Sequence, residues 1–503
     1  MEETIAMLEA RIHELENPAI RTQAVMLNQP YPKADPVSGS SQSGIVAAPI
    51  ETLGMAGVFA GGITTGSEEY KEEPSPAVKA ALLHTFVHHA IEIGFFLDVQ
   101  RFIATTIQID AQTNDNLPIP ALISAACLWG LRLSRNSVSA APGDEYRETV
   151  LDQAEAGTLS RALDQLSNAM SSPTHNRVVQ TIQTEILLAN YFFDNGRTLE
   201  GRHHISTAVG LTLGAGLNRA RNQPRSPENV LTAMLPAPES AIEADDRIKA
   251  FWSVFVWDSL WSSALDYAPS LQLGDTPGQE LKIDIPWPSD NTRSLGVSTE
   301  PIRRFLHGIE DESEGQSETA LLAKTSVLME RTNALEKRYR PGMTPYEVES
   351  FKRNQIALDT VIQRLMVAIP RSNSPASLTL ISVQMIAHTT RMKLHRIGGY
   401  GQEVGFEDSR RIAAEEAKSI ADILEANPEA SIYNPFLGPI YVSAALVLVD
   451  AVTMLKASDS EGNTQLRSDW SKAANVLVSA ATNLRTKAVG DALKVAHKAL
   501  AEL

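Results

Sequence analysis

Apolar residues recur at intervals of three and four positions along most of the chain from residue 77 onward. Two runs show this spacing: Leu82, Leu83, Phe86 and Val87, then Val178, Ile182, Ile186 and Leu187. The spacing gathers apolar side chains on one face of an α-helix. No convincing run of alternating apolar and polar residues competes with it. The pattern therefore predicts an all-α fold.

Some segments predict particular elements. The segment from Arg247 to Leu265 is apolar nearly all round, which is typical of a helix surrounded by other helices. Asp245 and Asp246 precede it, where the helix dipole favours anionic side chains. Residues 285–288, Ile-Pro-Trp-Pro, predict extended backbone, because proline fixes its own φ and restricts the residue before it. Further helices are predicted over residues 347–368, 376–397, 408–426, 438–457 and 464–501.

The N-terminal residues carry a different pattern, that of a short coiled coil. Four apolar residues follow one another at spacings of three, four and three, with Ile at the a positions and Leu at the d positions, which favours a parallel dimer. Charged residues at the g and e positions can pair between the two chains. The residues predicted to mediate dimerisation are Ile5, Leu8, Arg11, Ile12, Leu15 and Glu16.

These patterns divide the chain into segments. The stretch after the coil is rich in Pro, Gly, Ser and Thr, which is typical of a flexible linker. An acidic run from Glu310 to Glu318 favours an exposed loop between two helical blocks. The predicted segments are residues 1–17 (coiled coil), 18–76 (linker), 77–290 (first helical block), 291–320 (exposed loop) and 321–503 (second helical block of the same domain).

Charge and cysteine content narrow the function classes. Lysine and arginine number 44 against 60 aspartates and glutamates, a net charge of −16, so phosphate backbones would repel the chain as a whole. Cys127 is the single cysteine, which excludes an intramolecular disulfide and a multi-cysteine zinc site within these residues. Its apolar surroundings predict an inert buried thiol.

Neither secretion nor a membrane span is expected. The first sixteen residues are charged throughout and lack the apolar stretch of a signal peptide, which predicts an intracellular protein. The most apolar stretch, residues 436–455, is interrupted by Gly438 and Pro439 and contains Ser443 and Asp450. A buried helix is therefore favoured over a membrane span.

Sequence signatures of catalysis are absent: there is no G-x-S-x-G elbow, no P-loop and no H-E-x-x-H. We therefore predict no enzyme activity and no catalytic residues. The segment from Gly214 to Arg219 begins like a dinucleotide-binding fingerprint. However, Arg219 stands where a third glycine must allow close packing, so the glycines predict the end of a helix.

Two histidine groups leave alternatives open. His84, His88 and Glu92 share a helix face and could hold a metal with one further ligand. We favour a packed helix with polar edges there and predict no metal site. His203 and His204 favour a buried hydrogen-bond network, with effector binding as the alternative.

Several segments, in order, carry a recognisable family pattern. Gly196-Arg-Thr-Leu-Glu-Gly-Arg202 is followed by a helix that ends at Gly-Leu, and 247–258 reads RIKAFWSVFVWD. Residues 283–288, 392–396 and 434–439 add further landmarks. Together they resemble the fungal-specific transcription factor domain, and the likeness covers most of residues 77–455. Its signature residues here are Gly196, Arg197, Gly201, Arg202, Arg247, Phe251, Trp252 and Asp258.

The resemblance implies a regulatory and dimerisation region of a fungal zinc-cluster transcription factor, which acts in the nucleus on RNA polymerase II transcription. It implies a homodimer, contacts with the transcription machinery or co-regulators, and a metabolite as effector. In such proteins a six-cysteine zinc cluster reads DNA. One cysteine cannot build that cluster, so we expect no cofactor in this chain. Either zinc and DNA contact come only through a segment upstream of it, or this is a regulatory domain that acts without a cluster.

Two alternatives remain from the sequence. One is a helical enzyme whose site is assembled from dispersed residues such as Arg202, His203, His204 and Asp258. The other is a scaffold that pairs with true zinc-cluster factors and blocks them. The coil serves the scaffold and the transcription factor equally, so the coil alone does not separate these two.

Overall fold

Helices account for the regular structure of the residues that are described. The computed structural model describes residues 73–107, 117–137, 145–170, 175–219, 235–273, 283–289, 300–310, 315–340, 342–370, 377–397, 406–428, 434–457, 464–484 and 486–503. Within these residues there are fifteen α-helices and no β-strand, which confirms the predicted all-α fold. The predicted coil and nearly all of the predicted linker lie outside the described residues.

The described helices are numbered in chain order. They are α1 Pro76–Val87, α2 Val99–Ile107, α3 Pro120–Ser137, α4 Glu145–Ser167, α5 His175–Asp194, α6 Thr198–Gly214, α7 Ala241–Ala264, α8 Pro301–His307, α9 Glu318–Arg338, α10 Pro345–Ala368, α11 Leu378–Ile397, α12 Phe406–Ala426, α13 Leu437–Ala457, α14 Thr464–Asn483 and α15 Gly490–Ala501. Four of the helices predicted after residue 346, α10 to α13, are confirmed to within a few residues at each end.

Helix α5 lies between two hydrophobic clusters. One side contributes Leu187, Leu188, Tyr191 and Phe192 to a smaller cluster with α1, α3 and part of α4. The opposite side contributes Ile182, Ile186, Ala189 and Phe193 to a larger cluster that extends through α15. Because both sides are covered, α5 is buried along most of its length, and it positions the elements around it.

Polar side chains of α5 hold the chain segments that cross it. Gln183 donates to the carbonyl of Gly94 at 2.9 Å and accepts from the N–H of Phe96 at 2.7 Å. Gln180 accepts from the N–H of Ile119 at 2.6 Å. A buried loop needs such partners, because an unpaired backbone polar group in the interior is costly.

The prediction that Arg247–Leu265 is a helix inside the protein is confirmed, although the helix begins earlier. Helix α7 starts at Ala241 behind the cap Ser240, whose hydroxyl accepts from the N–H of Glu243. The sequence predicted that Asp245 and Asp246 lie at the start of this helix, but they lie beyond its first turn. They pair instead with cations, Asp245 with Lys249 at 2.7 Å and Asp246 with Arg101 at 2.6 Å.

The long helix predicted over residues 464–501 is wrong, because the chain forms two helices there, α14 and α15. Between them the N–H of Lys487 donates to the carbonyl of Asp194 at 2.8 Å, and the hydroxyl of Thr486 donates to the same oxygen at 3.1 Å. These bonds to the end of α5 replace the helical bonds that a continuous helix would require.

Residues 300–310 lie within the segment predicted as an exposed loop, yet they form the short helix α8 and its flanks. Pro301, Ile302 and Phe305 are buried. Glu310 accepts from the indole N–H of Trp287 at 2.6 Å and from Lys324 at 2.8 Å. This part of the predicted exposed loop is therefore wrong, because its apolar side chains pack into the core although an acidic run follows them.

Helix α13 is the most apolar helix of the described residues. By length and composition it could cross a membrane, with a mean hydropathy of 1.8, but 61% of that window is buried. It packs against α12, α14 and α15. A core helix passes the same hydropathy test, and its burial favours the predicted buried helix.

Candidate functional site

The first part of the predicted signature forms the turn between α5 and α6. Gly196 has φ +71°, in the left-handed region that glycine adopts without strain. Its N–H donates to the carbonyl of Phe193 at 2.9 Å. A Cβ at this position would lie 3.1 Å from the carbonyl oxygen of Lys487. Glycine therefore both ends α5 and leaves room for the segment between α14 and α15.

Three further signature residues make close contacts next to this turn. A Cβ on Gly201 would lie 2.6 Å from the ring of Phe193, so glycine allows α5 and α6 to approach. The guanidinium of Arg197 lies 4.5 Å from the ring centre of Phe192. That of Arg202 lies 4.4 Å from the ring centre of Tyr267. Both arginines are placed for cation–π contact.

The second part of the signature lies on α7. Arg247 is buried, pairs with Glu243 and donates to the carbonyl of Pro236 at 2.7 Å. Trp252 stacks on Trp287 with ring centres 4.5 Å apart. Its indole N–H donates to the carbonyl of Pro286 at 2.8 Å. The Trp-Pro segment predicted to be extended is thus fixed against α7.

The remaining signature residues of α7 are fully buried. Phe251 packs edge to face on Trp252 in the larger core cluster. Asp258 is 0% exposed and accepts from the N–H of Leu271 at 2.7 Å. Burial raises the pKa of Asp258 to about 6, against the opposing effect of hydrogen bonds from Leu271 and Ser270. This carboxyl holds the loop after α7.

The residues named for a dispersed enzyme site take part in different contacts. His204 lies with Nδ1 2.6 Å from a carboxylate oxygen of Glu185 and stacks on the ring of Phe192. His204 is buried, which confirms the predicted hydrogen-bond network there, whereas His203 is exposed. Asp258 is engaged by the loop after α7. Arg202 and Asp258 share one neighbour, Tyr267: burial and the charge of Asp258 raise the pKa of its phenol, and Arg202 opposes this.

The helix face predicted for His84, His88 and Glu92 is wrong, because α1 ends at Val87 and His88 and Glu92 lie in the turns after it. The rings of His84 and His88 meet edge to face at 4.7 Å, and both residues are exposed. Burial raises the pKa of Glu92. Among the described residues, no group of three or more histidine, cysteine, aspartate or glutamate side chains is placed to hold a metal ion.

A charged cluster that the sequence did not single out joins α10, α11 and α12. Arg391 donates to Asp359 at 2.8 Å and also to Glu416. His388 lies 2.5 Å from Glu416, and His395 lies 3.3 Å from Asp359. Burial would raise the pKa of Asp359, but the hydrogen bonds and charges of His395 and Arg391 lower it well below its usual range. These contacts join α10, α11 and α12 to one another.

A cavity of about 230 Å³ lies where α1, α3 and α4 meet. We call it the α1–α3–α4 cavity. It is lined by Glu73, Pro74, Lys79, Pro120, Ile123, Ser124, Cys127, Arg161 and Gln165. Its lining residues are spread over more than ninety positions, so no local motif could have revealed it.

The α1–α3–α4 cavity has both polar and apolar walls. Ser124 donates to Gln165 at 2.7 Å. Lys79 pairs with Glu73, and Arg161 donates to Thr158 at 3.2 Å. Burial raises the pKa of the Cys127 thiol to about 12, which keeps it protonated and agrees with the predicted inert cysteine. The cavity can therefore receive a molecule but has no activated nucleophile at this cysteine.

The residues predicted for dimerisation, Ile5, Leu8, Arg11, Ile12, Leu15 and Glu16, lie outside the described residues. Dimerisation through them stays a prediction. All eight signature residues, by contrast, are described, and they join α5, α6 and α7 to one another and to the loops beside them. They act as packing and hydrogen-bonding positions of the fold.

Comparison with known proteins agrees with this placement. Residues 95–308 match the family model of the fungal specific transcription factor domain. No curated protein matches the chain. The matched range runs from the residues before α2 to the end of α8 and contains all eight signature residues. Over residues 95–308 the chain thus matches the fungal specific transcription factor domain, the family that its sequence resembles.

Proposed function

We propose that this chain is the regulatory and dimerisation region of a fungal zinc-cluster transcription factor and controls RNA polymerase II transcription in the nucleus. The observation that carries this proposal is the family match over residues 95–308. The family is one of transcription regulation rather than catalysis. No enzyme activity is proposed.

The charge and cysteine content support an indirect route to DNA. A net charge of −16 opposes binding to phosphate backbones. One cysteine excludes a six-cysteine cluster within these 503 residues. We propose that DNA contact is supplied by a zinc cluster outside these residues, and that this chain contributes pairing and contacts with co-regulators.

Residues 1–503 fused to a heterologous DNA-binding domain should change the output of a reporter gene relative to that domain alone. The matched variants are Phe251→Ala, which removes a ring that is 0% exposed, and Ile242→Ala, which alters an exposed residue of the same helix. We expect the first to reduce the effect and the second to preserve it, at equal protein abundance. An unchanged reporter, with and without a panel of metabolites, would count against the proposal.

Pairing through the coil is tested with two substitutions of the same chemistry. Leu8→Asp places a charge in the predicted apolar seam, whereas Ala10→Asp places it at the outer f position. Co-purification of two differently tagged copies should be lost with the first and retained with the second. If both variants still pair, the coil is not the interface. Pairing without any reporter effect would favour the scaffold alternative.

A further inference from the structure

The α1–α3–α4 cavity has the size of a small organic molecule. An apolar cavity of about 150 Å³ is large enough to bind benzene, which has six non-hydrogen atoms. By the same ratio of volume to atoms, this cavity of about 230 Å³ has room for a molecule of roughly nine non-hydrogen atoms. Sites of this kind commonly occur between helices, with apolar walls and a few polar groups that fix the orientation of the ligand.

Two cations and one carboxylate face this space. Lys79 comes from α1 and Arg161 from α4, while Glu73 precedes α1. All three charges reach the Cys127 thiol in the cavity wall: Arg161 and Lys79 favour its ionised form, and Glu73 opposes it. Arg161 is also engaged by other groups, so the cation that a ligand can reach is the ammonium group of Lys79, which is paired with Glu73. An anion is the complementary ligand.

The carboxylate of Glu73 marks where such an anion can be held. It contacts the ammonium group of Lys79, but its own side chain is 70% exposed. An ion pair whose carboxylate is this exposed adds little stability, because water competes with the ammonium group for that carboxylate. A ligand carboxylate that is shielded by the cavity walls can therefore replace Glu73 at Lys79.

The remaining walls favour an apolar body on the ligand. Pro74, Pro120 and Ile123 supply apolar surface, and Ser124 and Gln165 form a polar edge already joined by a hydrogen bond. The thiol of Cys127 is protonated, because burial raises its pKa to about 12, so capture is non-covalent.

We propose that the α1–α3–α4 cavity binds a small organic carboxylate of about nine non-hydrogen atoms, with its charge at Lys79 and its apolar end against Pro120 and Ile123. Such a ligand joins the segment before α1 to α3 and α4. A role for the ligand as effector rests on the proposed regulatory function, whereas binding itself does not.

The proposal is tested by titration calorimetry on the full chain with benzoate and with benzamide, its uncharged counterpart of the same size. We expect benzoate to bind at one site and benzamide to bind about ten-fold more weakly or not at all, because the charge-assisted bond is missing. Equal binding of the two compounds, or no binding of benzoate, would overturn the proposal.

Three variants and one control locate the site. Lys79→Met should weaken benzoate binding about ten-fold, and Ser124→Leu should block it by filling the cavity. Glu73→Gln removes the competing carboxylate at an exposed position and should strengthen binding several-fold. Lys494→Met removes a lysine of another exposed ion pair, on α15, and should leave binding unchanged.

The outcomes separate this inference from the proposed function. If Ser124→Leu fails to fold, as judged by its circular dichroism, Glu73→Gln still tests the same site. Equal binding of benzoate to Lys79→Met and Lys494→Met would mean that the ligand binds elsewhere, which would contradict the proposal. Such a result would leave the reporter effect of the fusion untouched. Loss of the reporter effect with retained benzoate binding would refute the regulatory role alone.

Discussion

The ring of Phe193 fills the space that a side chain at position 201 would need. A Cβ on Gly201 would lie 2.6 Å from one ring carbon and 2.7 Å from the next. Phe193 is 1% exposed and stacks on Trp261 with ring centres 4.6 Å apart. The ring therefore cannot turn aside without disturbing the larger core, and glycine sets the distance between α5 and α6.

Gly201→Ala should destabilise the protein by about 2 kcal/mol, since overfilling a packed core forces its neighbours to shift. The matched control is Gly210→Ala in the same helix, where a Cβ meets nothing within 4 Å. Alanine at position 210 should raise the free energy of unfolding by about 0.5 to 1 kcal/mol, because alanine leaves the unfolded chain fewer conformations than glycine does. Urea unfolding of both variants measures the two shifts, and equal shifts would contradict the role of Phe193.

The helix pattern could be predicted because burial of one face leaves a local periodic signal, as in α7 and α10 to α13. The break before α15 could not, because its cause is a distant acceptor, the carbonyl of Asp194. The start of α7 was missed for a related reason. Asp245 and Asp246 look like first-turn residues, but their partners are Lys249 and the distant Arg101.

The signature residues could be named from the sequence, although their roles could not. Gly201 reads as a glycine in a helix until Phe193 is seen against it. The α1–α3–α4 cavity left no trace in the pattern, since Lys79, Cys127 and Arg161 each look ordinary in their own helix. Only packing brings them together.

Asn190 joins two elements from within α5. Its amide donates to the carbonyl of Ile93 at 2.9 Å and accepts from the indole N–H of Trp261 at 2.8 Å. Asn190→Leu leaves both partners unpaired in the interior and should cost about 3 kcal/mol in unfolding free energy. Asn475→Leu, at an exposed position of α14, should change stability by less than about 0.5 kcal/mol. Similar losses from both would argue against the Asn190 bridge.

Asp258 should give the protein a distinctive pH dependence. Burial raises its pKa from 3.8 to about 6 in the folded state. The folded state thus holds this proton more tightly than the unfolded state, and stability falls as the pH rises through this interval. The loss amounts to about 3 kcal/mol in total, with about 1 kcal/mol of it between pH 5 and pH 7.

Asp258→Asn should remove this dependence, so its stability relative to the unsubstituted protein should improve from pH 5 to pH 7. Urea unfolding at both pH values measures the change. Asp491→Asn is the control, because Asp491 is exposed and its hydrogen bond to Lys494 lowers its pKa, the opposite direction. A constant difference between Asp258→Asn and the unsubstituted protein would show that residue 258 does not titrate in this range.

Arg391 should matter more at neutral pH than in acid. Its guanidinium donates to Asp359 on α10 and to Glu416 on α12, and only 19% of its side chain is exposed. Burial opposes ionisation of Glu416, but the hydrogen bond and charge of His388, and then those of Arg391, lower its pKa. Lowered pKa values make both carboxylates stabilising above about pH 4, and that stability is lost as the pH falls further.

Arg391→Met leaves two partly buried carboxylates without their shared cation and should cost about 2 kcal/mol at pH 7. Without the cation, the pKa values of both carboxylates rise, and protonation then removes part of their repulsion. The loss of unfolding free energy in the variant should therefore become smaller as the pH is lowered toward 4.5. Arg303→Met breaks an ion pair whose side chains are 72% and 54% exposed and should cost less than about 0.5 kcal/mol at either pH. A deficit of Arg391→Met that stays constant with pH would mean that the packing of its methylene groups, and not its charge, joins α10, α11 and α12.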